Sequence, residues 1–194
     1  REYVHYLRSF YDAVMVGANT ILQDNPQLAC KHLGGRDPWR IIVDSEGKTP
    51  LNSKIFLRST SSAARPHVLI VTSDRATEER TLAMQQAGAE VIRCSEFSEE
   101  RLISQVDLSG LLHILSKREI SSVLLEGGGT LNASALKAGI VDKVIVIIAP
   151  KLVGGKEAKT PIEGKGVLLI SEAISLKEWH FRSLGEDLMI EGYL

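Results

Sequence analysis

Val123-Leu124-Leu125-Glu126-Gly127-Gly128-Gly129-Thr130-Leu131-Asn132 is the stretch on which the fold turns. Its three apolar residues without alternation read as a central strand buried on both faces. A carboxylate and three glycines follow, and residues 131–138 read as a helix stopped by Gly139. Glycine lacks Cβ, so an anion such as a diphosphate can approach the backbone closely. Free N–H groups and the dipole of the following helix favour negative charge at that point. Thr130 and Asn132 add side-chain hydrogen bonds. A tight turn alone needs fewer than three consecutive glycines, which favours the anion-binding reading. The loop is not GxGxxG, and it is not a P-loop. Gly47-Lys48-Thr49 has the tail of a P-loop, but Ile42 stands where its earlier glycine belongs.

Outward from this loop, strands and helices alternate. Residues 2–11 have helical spacing, with His5 and Arg8 on one face. Asp12-Ala13-Val14-Met15-Val16-Gly17 reads as a strand, and residues 19–22 as a short helical turn broken at Asp24-Asn25-Pro26. Further strands are expected at 40–44, 67–72 and 90–93, with helices at 77–87 and 108–117. A buried strand is expected at 143–149. The Ser- and Ala-rich stretch 58–66 reads as an exposed, mobile loop, and 154–166 as a long glycine-punctuated one. Two alternating strands at 176–183 and 187–194, joined by Leu184-Gly185-Glu186, read as an antiparallel hairpin. The order predicts a three-layer α/β domain with a mostly parallel sheet. Ligands of such sheets sit beyond the carboxyl ends of the strands. That edge carries Asp44-Ser45, Thr72-Ser73-Asp74 and Glu126 onward.

Composition narrows the function classes. The chain has 194 residues, 44% hydrophobic and 24% charged, as in an ordinary globular domain. A formal net charge of −1 provides no broad basic field for nucleic acid or an anionic membrane. Aromatic residues at 5% argue against base-stacking platforms. No apolar run is long enough to cross a bilayer. Two cysteines, Cys30 and Cys94, make no disulfide framework and read as small packed residues. The five histidines have no metal-ligand spacing, and the zinc deaminase signature is absent.

On residue chemistry alone, several candidates have bland alternatives. Thr20 and Asp24 fit a helix cap and an Asx turn better than a ribose or amide site. Arg8 binds a phosphate or polar substrate, or simply pairs with Asp12 four residues on. Glu126 accepts N–H groups of a heterocycle and assists proton transfer, or caps a neighbouring helix. Ser45 binds a ribose or its 2′-phosphate, or ends a strand. Lys31 is an ordinary loop residue until placed in context.

Five stretches, taken in order, resemble a known family. They are His5-x-x-Arg8-x-x-x-Asp12-Ala13-Val14-x-Val16-Gly17-x-x-Thr20; Leu22-x-Asp24-Asn25-Pro26-x-Leu28; Arg40-Ile41-Ile42-Val43-Asp44-Ser45; Leu125-Glu126-Gly127-Gly128-Gly129-Thr130-Leu131-Asn132; and Ile148-Ala149-Pro150-Lys151-x-x-Gly154-Gly155-Lys156. Together they resemble the reductase domain of the riboflavin biosynthesis deaminase–reductase proteins, which also occurs as a stand-alone reductase. The resemblance implies a dihydrofolate-reductase-like three-layer α/β fold, a mostly parallel central sheet with a C-terminal antiparallel hairpin, and a homodimer. It implies NADPH as hydride donor and a phosphorylated pyrimidine, 5-amino-6-(5-phosphoribosylamino)uracil, as substrate. The ribosyl group, opened to an imine, is reduced to the ribityl chain.

By position, the resemblance assigns NADPH contacts to Thr20, Asp24, Ser45, Gly128, Gly129, Thr130, Leu131, Asn132, Ala133 and Ser134. It assigns substrate contacts to Arg8, Leu28, Lys31 and Glu126, with Asp24 the candidate catalytic group. No metal, nucleic acid or membrane partner is expected. The expected location is the cytoplasm, or a plastid for a plant source. The family's first strand is expected to precede Arg1, and no deaminase domain is expected in this chain. Asn25 stands where the family commonly has aspartate. Lys31 stands where arginine is frequent; it keeps the charge and loses the bidentate fork. The alternatives are a pterin reductase on the same fold and a non-catalytic nucleotide-binding or assembly module.

Overall fold

The computed structural model describes residues 1–31, 34–57, 67–98, 103–155 and 158–194. Five parallel strands form the main sheet: β1 (Ala13–Gly17), β2 (Trp39–Val43), β3 (Val68–Thr72), β4 (Glu90–Arg93) and β7 (Val123–Leu125), in the order β4-β3-β2-β1-β7. Between β4 and β7 in the chain, β5 (Ser95–Ser98) and β6 (Ile103–Val106) pair as a small antiparallel hairpin. The helices are α1 (Glu2–Phe10), α2 (Ala18–Asp24), α3 (Glu78–Gln86), α4 (Leu108–Ser116) and α5 (Gly129–Lys137). A three-stranded antiparallel sheet, ordered β8-β10-β9, is built from β8 (Lys143–Ile148), β9 (Lys177–Leu184) and β10 (Asp187–Tyr193).

Both faces of the main sheet are buried, as the unalternating strands require. Successive side chains of a strand point to opposite faces. Ala13, Met15, Ile41, Leu69 and Val71 accordingly pack with Leu108, Leu111 and Leu115 of α4 and with Leu131 and Ala135 of α5. Val14, Val16, Ile42, Val68 and Ile70 pack on the other face with Ile21 of α2 and Met84 of α3. Each large aliphatic side chain so buried contributes about 1.5–3 kcal/mol. Caps define the helices locally. Thr77 accepts from the Arg80 N–H at the start of α3, and Asp107 accepts from the Gly110 N–H at the start of α4. Arg40 is fully buried in β2; its guanidinium donates to the Ile55 and Leu57 carbonyls and pins the 3-10 turn Lys54–Phe56.

Two expectations change. Val123–Leu125 is an edge strand and half-buried, because among the described residues it pairs with β1 alone. Three apolar residues carry too little pattern to separate an edge from a centre. The strand at 143–148 joins the antiparallel sheet and is not buried, with Val146, Ile147 and Ile148 exposed. The C-terminal antiparallel hairpin forms as expected, with its turn at Gly185 (φ 64°), and β8 extends it to three strands. The β5–β6 hairpin had no expected counterpart. The expected loop at 58–66 and Lys156 of the fifth motif lie outside the described residues.

At the amino ends of β1 and β7, Asp12 ties the two strands together. Its Oδ2 accepts from the Ser121 N–H (3.0 Å) and hydroxyl (2.7 Å), and from the Ser122 N–H (3.0 Å) and hydroxyl (2.9 Å). Arg36 Nη2 reaches Oδ1 at 2.5 Å. Arg8 is not its partner. The Ser121 hydroxyl foremost, then Arg36 and Ser122, hold the Asp12 carboxyl well below the usual carboxylate range. A depressed carboxyl stabilises the fold above its unfolded pKa of about 3.9 and ceases to do so as pH falls through its folded value. Asp12→Asn is expected to cost about 1–2 kcal/mol in urea unfolding at pH 7. The gap to the wild-type protein should narrow steadily as pH is lowered below about 4; a gap independent of pH would show that the carboxylate is not what ties the strands.

Candidate functional site

Parallel register brings the carboxyl ends of β1, β2, β3 and β7 to one edge. Beyond β7, the Glu126 N–H donates to the Met15 carbonyl (3.0 Å) and the Gly17 N–H to the Gly127 carbonyl (3.4 Å). The chain then reverses through Gly127 (φ 117°) and Gly128 (φ 88°), conformations that disfavour any residue with a Cβ. Gly128 is the N-cap of α5, and no side chain caps its N–H groups. The helix thus begins inside the glycine run, two residues earlier than expected. Thr20 of α2 meets this turn: its Oγ1 lies 3.3 Å from where a Cβ on residue 128 would sit. Two candidates 108 residues apart in sequence are therefore neighbours.

The amino end of α5 already holds a carboxylate. Thr130 Oγ1 donates to Glu163 Oε2 at 2.7 Å, and the Glu163 N–H donates to the Gly129 carbonyl at 3.1 Å. Asn132 Nδ2 donates to the Pro161 carbonyl at 2.8 Å. A Cβ on Gly129 would fall 2.5 Å from Glu163 Cγ and 2.8 Å from the Thr160 carbonyl oxygen, so the segment lies directly on the glycine loop. Ala133 faces Gly164, Ser134 donates back to the Thr130 carbonyl (2.9 Å), and Leu131 belongs to the core. No local pattern around Glu163 marked it beforehand; its place depends on a contact spanning 33 residues.

Arg8 and Glu126, 118 residues apart, form a two-pronged ion pair. Arg8 Nε donates to Oε1 at 2.6 Å and Nη2 to Oε2 at 2.5 Å, and the side chains are only 13% and 14% exposed. Arg8 Nη1 donates to the Ala29 carbonyl at 3.2 Å. One helical turn earlier, His5 has a buried Nδ1 without a hydrogen-bond partner among the described residues. Burial and the nearby Arg8 lower the His5 pKa, so its ring is neutral at pH 7. The His5–Arg8 spacing was visible in the sequence; the unpaired nitrogen was not.

The remaining candidates divide. Leu28 is buried in the core with a left-handed backbone (φ 56°), so its side chain serves packing. Lys31 is exposed on the same loop, and Asp24 is exposed at the end of α2. Asn25 is the left-handed C-cap of α2 (φ 40°), and its Oδ1 accepts from the Lys54 N–H at 2.9 Å. That role is structural and needs no negative charge. At the end of β2, buried Asp44 accepts from the Lys48 and Thr49 N–H groups and the Thr49 hydroxyl, which folds the turn. Ser45 is half-buried on the ligand edge, and its carbonyl accepts from the Ser73 N–H and hydroxyl. Beside it, Glu46 pairs with both Lys48 and Arg75.

Comparison with known proteins agrees with this geometry. The chain is 39% identical over 191 residues to riboflavin biosynthesis protein RibD of Actinobacillus pleuropneumoniae, covering 98% of this chain and 48% of that one. It thus spans about half the length of that relative. It is 37% identical to the 2,5-diamino-6-ribosylamino-4(3H)-pyrimidinone 5′-phosphate reductase of Methanothermobacter thermautotrophicus, covering 97% of this chain and 82% of that one. Among solved structures, RibD of Acinetobacter baumannii superposes with a TM-score of 0.79 at 24% identity, covering all of this chain and 49% of that one, which supports the fold. The model of the RibD C-terminal domain matches residues 1–190, and the chain belongs to that family.

Proposed function

We propose that this chain is an NADPH-dependent reductase of a ribosylaminopyrimidine 5′-phosphate in riboflavin biosynthesis, with 5-amino-6-(5-phosphoribosylamino)uracil as substrate. The observation that carries the reading is the meeting of the glycine turn, Thr20 and the Arg8–Glu126 pair at one strand edge. A second reading rests on the Methanothermobacter thermautotrophicus relative, whose named substrate has an amino group at ring C2 in place of oxygen. On either reading, the parallel sheet and the antiparallel sheet are the two parts of a dihydrofolate-reductase-like architecture.

The residues fit a dinucleotide. Gly127 and Gly128 leave the backbone open, and the α5 N-terminus already accommodates the Glu163 carboxylate, a group with the same sign of charge as a diphosphate. Bound there, NADPH would supply the hydride that reduces C1′ of the ribosyl group, opened to its imine, to the ribityl chain. The protein's part is proximity and exclusion of water. Thr20, Thr130 and the first N–H groups of α5 hold the diphosphate, Ser45 faces the adenosine ribose, and Glu126 accepts ring N–H groups. Lys31 offsets the substrate phosphate, and Asp24 is the candidate source of the proton taken up by the imine nitrogen.

The working form is a homodimer on this reading. Consecutive β8 residues Val146, Ile147 and Ile148 are exposed, so both faces of that strand are open. Trp179 (58%) and Phe181 (66%) extend the apolar surface onto β9. Surfaces of this kind mark interfaces. Trp179→Glu together with Phe181→Glu should convert a dimer to a monomer in sedimentation; an unchanged mass would place the interface elsewhere.

Stopped-flow NADPH oxidation tests the activity with both pyrimidines. Turnover of the uracil compound is expected; turnover of the diaminopyrimidinone alone would select the second reading, and no oxidation with either would end both. Calorimetric titration tests the cofactor seat. Glu163→Gln should tighten NADPH binding by about two- to fivefold, because it removes a charge competing for a helix N-terminus. Weaker binding would mean that Glu163 shapes the seat and does not compete for it.

A further inference from the structure

The segment after β8 crosses the site as a strap that carries opposite charges at its two anchors. At one end Lys159 Nζ donates to Gln23 Oε1 of α2 at 2.6 Å. Four residues on, Glu163 Oε2 accepts from Thr130 Oγ1 of α5 at 2.7 Å. Between them the Pro161 carbonyl accepts from Asn132 Nδ2 at 2.8 Å, and the Thr160 carbonyl lies against Gly129. Gln23 is one helical turn beyond Thr20, and Thr20 meets Gly128. The strap therefore runs from α2 to α5 beside the Thr20–Gly128 contact, where the cofactor diphosphate is proposed to sit.

A strap so arranged repels a diphosphate at one anchor and attracts it at the other. Glu163 and the diphosphate are both anionic, both are drawn to the positive end of α5, and both take the Thr130 hydroxyl. They cannot share that place. Lys159 is differently matched. Its partner is a neutral amide oxygen, and Lys159 and Gln23 are both exposed. A hydrogen bond from an ammonium to a phosphate oxygen, ionised on both sides, is the stronger one. Little movement is needed, because the neighbouring Thr160 already lies on the glycine loop and the four-carbon lysine stem is flexible. We propose that Lys159 is a cofactor-binding residue, which passes from Gln23 to the diphosphate as Glu163 leaves the amino end of α5. The strap thus exchanges a carboxylate anchor for an ammonium anchor when the dinucleotide binds. This inference rests on the proposed function.

Calorimetric titration with NADPH, at low and at raised salt, tests the exchange. Lys159→Gln should weaken binding about fivefold at low ionic strength, the scale of one exposed charge pair, and the difference should shrink as salt is added. Lys159→Arg keeps the charge and should bind nearly as the wild type does. Gln23→Leu removes only the resting partner and should bind NADPH no more weakly than the wild type. Adenosine 2′-phosphate has the adenosine end of the cofactor without the diphosphate, so its affinity in competition should be the same for Lys159→Gln and the wild type. The sign of the effect is the deciding readout. Glu163→Gln tightens NADPH and Lys159→Gln weakens it on this proposal, whereas a strap that merely packs on the loop is loosened by both substitutions and shifts affinity one way.

Equal NADPH affinity in Lys159→Gln and the wild type would overturn the proposal, as would shifts of the same sign for Lys159→Gln and Glu163→Gln. An equal loss with adenosine 2′-phosphate would assign Lys159 to the 2′-phosphate and overturn it too. A weakening that neither arginine nor salt relieves would leave Lys159 a packing residue only. Weaker binding by Gln23→Leu would show that the amide contact persists in the bound state and would refute the transfer. Wild-type protein is the control beneath all of these: failure to bind NADPH would refute the cofactor assignment itself, whereas wild-type binding with indifferent Lys159 variants would refute the exchange alone.

Discussion

Both faces of β1 must be kept from water, and most of the architecture follows from meeting that demand. Ala13 and Met15 face α4 and α5, while Val14 and Val16 face α2 and α3. A strand apolar on both sides needs a layer of helices above and below it. Parallel pairing of β2 and β7 on either side of β1 then fixes where every loop emerges. Helices reached by crossover connections enter and leave at opposite ends of the sheet. The carboxyl edge gathers Gly17, Asp44-Ser45, Ser73 and Glu126, and the amino edge gathers Asp12 with Ser121 and Ser122. Chemistry and fastening are thereby separated to opposite ends of the same strands.

Several carboxylates at the carboxyl edge are met by positive partners. Glu126 is matched by Arg8, Glu46 by Lys48 and Arg75, and the positive end of the α5 dipole by Glu163. Partly buried ionised groups are costly when unpaired, so a site that is to receive charged molecules must have internal partners in their absence. The pairs differ in how tightly they are held. The Arg8 fork is largely buried and doubly bonded, whereas Lys48 and Thr130 are exposed. Exposed partners are exchanged for a ligand at small cost, and buried forks are not. This ordering suits the proposed role of the glycine turn as a seat for an incoming anion, with the Arg8–Glu126 pair a fixed wall.

The parts legible in the sequence were those with a local cause. The 90–93 strand has the bounds expected of it, and the helix ends at Gly88 and Gly139 follow from backbone geometry confined to one residue. The glycine turn was equally plain, since positive φ at Gly127 and Gly128 is a property of the residues themselves. What escaped notice depends on distant partners. Nothing in Val123-Leu124-Leu125 says whether a strand lies on one side or two. Nothing near residue 163 says that its carboxylate meets Thr130. The apolar run from Val144 to Ile148 reads as buried because hydropathy registers a need for burial, not the surface that meets it. The motifs of the family brought Thr20 and Glu126 into consideration where local chemistry favoured or equalled a bland role. The contact of Thr20 with Gly128 supplies the physical basis for that grouping.

One chain segment joins the site to the antiparallel sheet. After β8 the chain leaves that sheet, lays Thr160, Pro161 and Glu163 on the glycine loop, and returns as β9. Its two ends are therefore anchored in the strands that expose Val146, Ile148, Trp179 and Phe181 on one face. Covering that apolar face restrains both ends of the segment and lowers the entropy lost when its middle is held in one place. The same restraint acts on Glu163, whose contact with Thr130 is exposed and singly bonded. Burial at the antiparallel sheet and occupancy of the α5 N-terminus are thus not independent: whatever orders the strands at either end of the segment also biases the carboxylate at its centre.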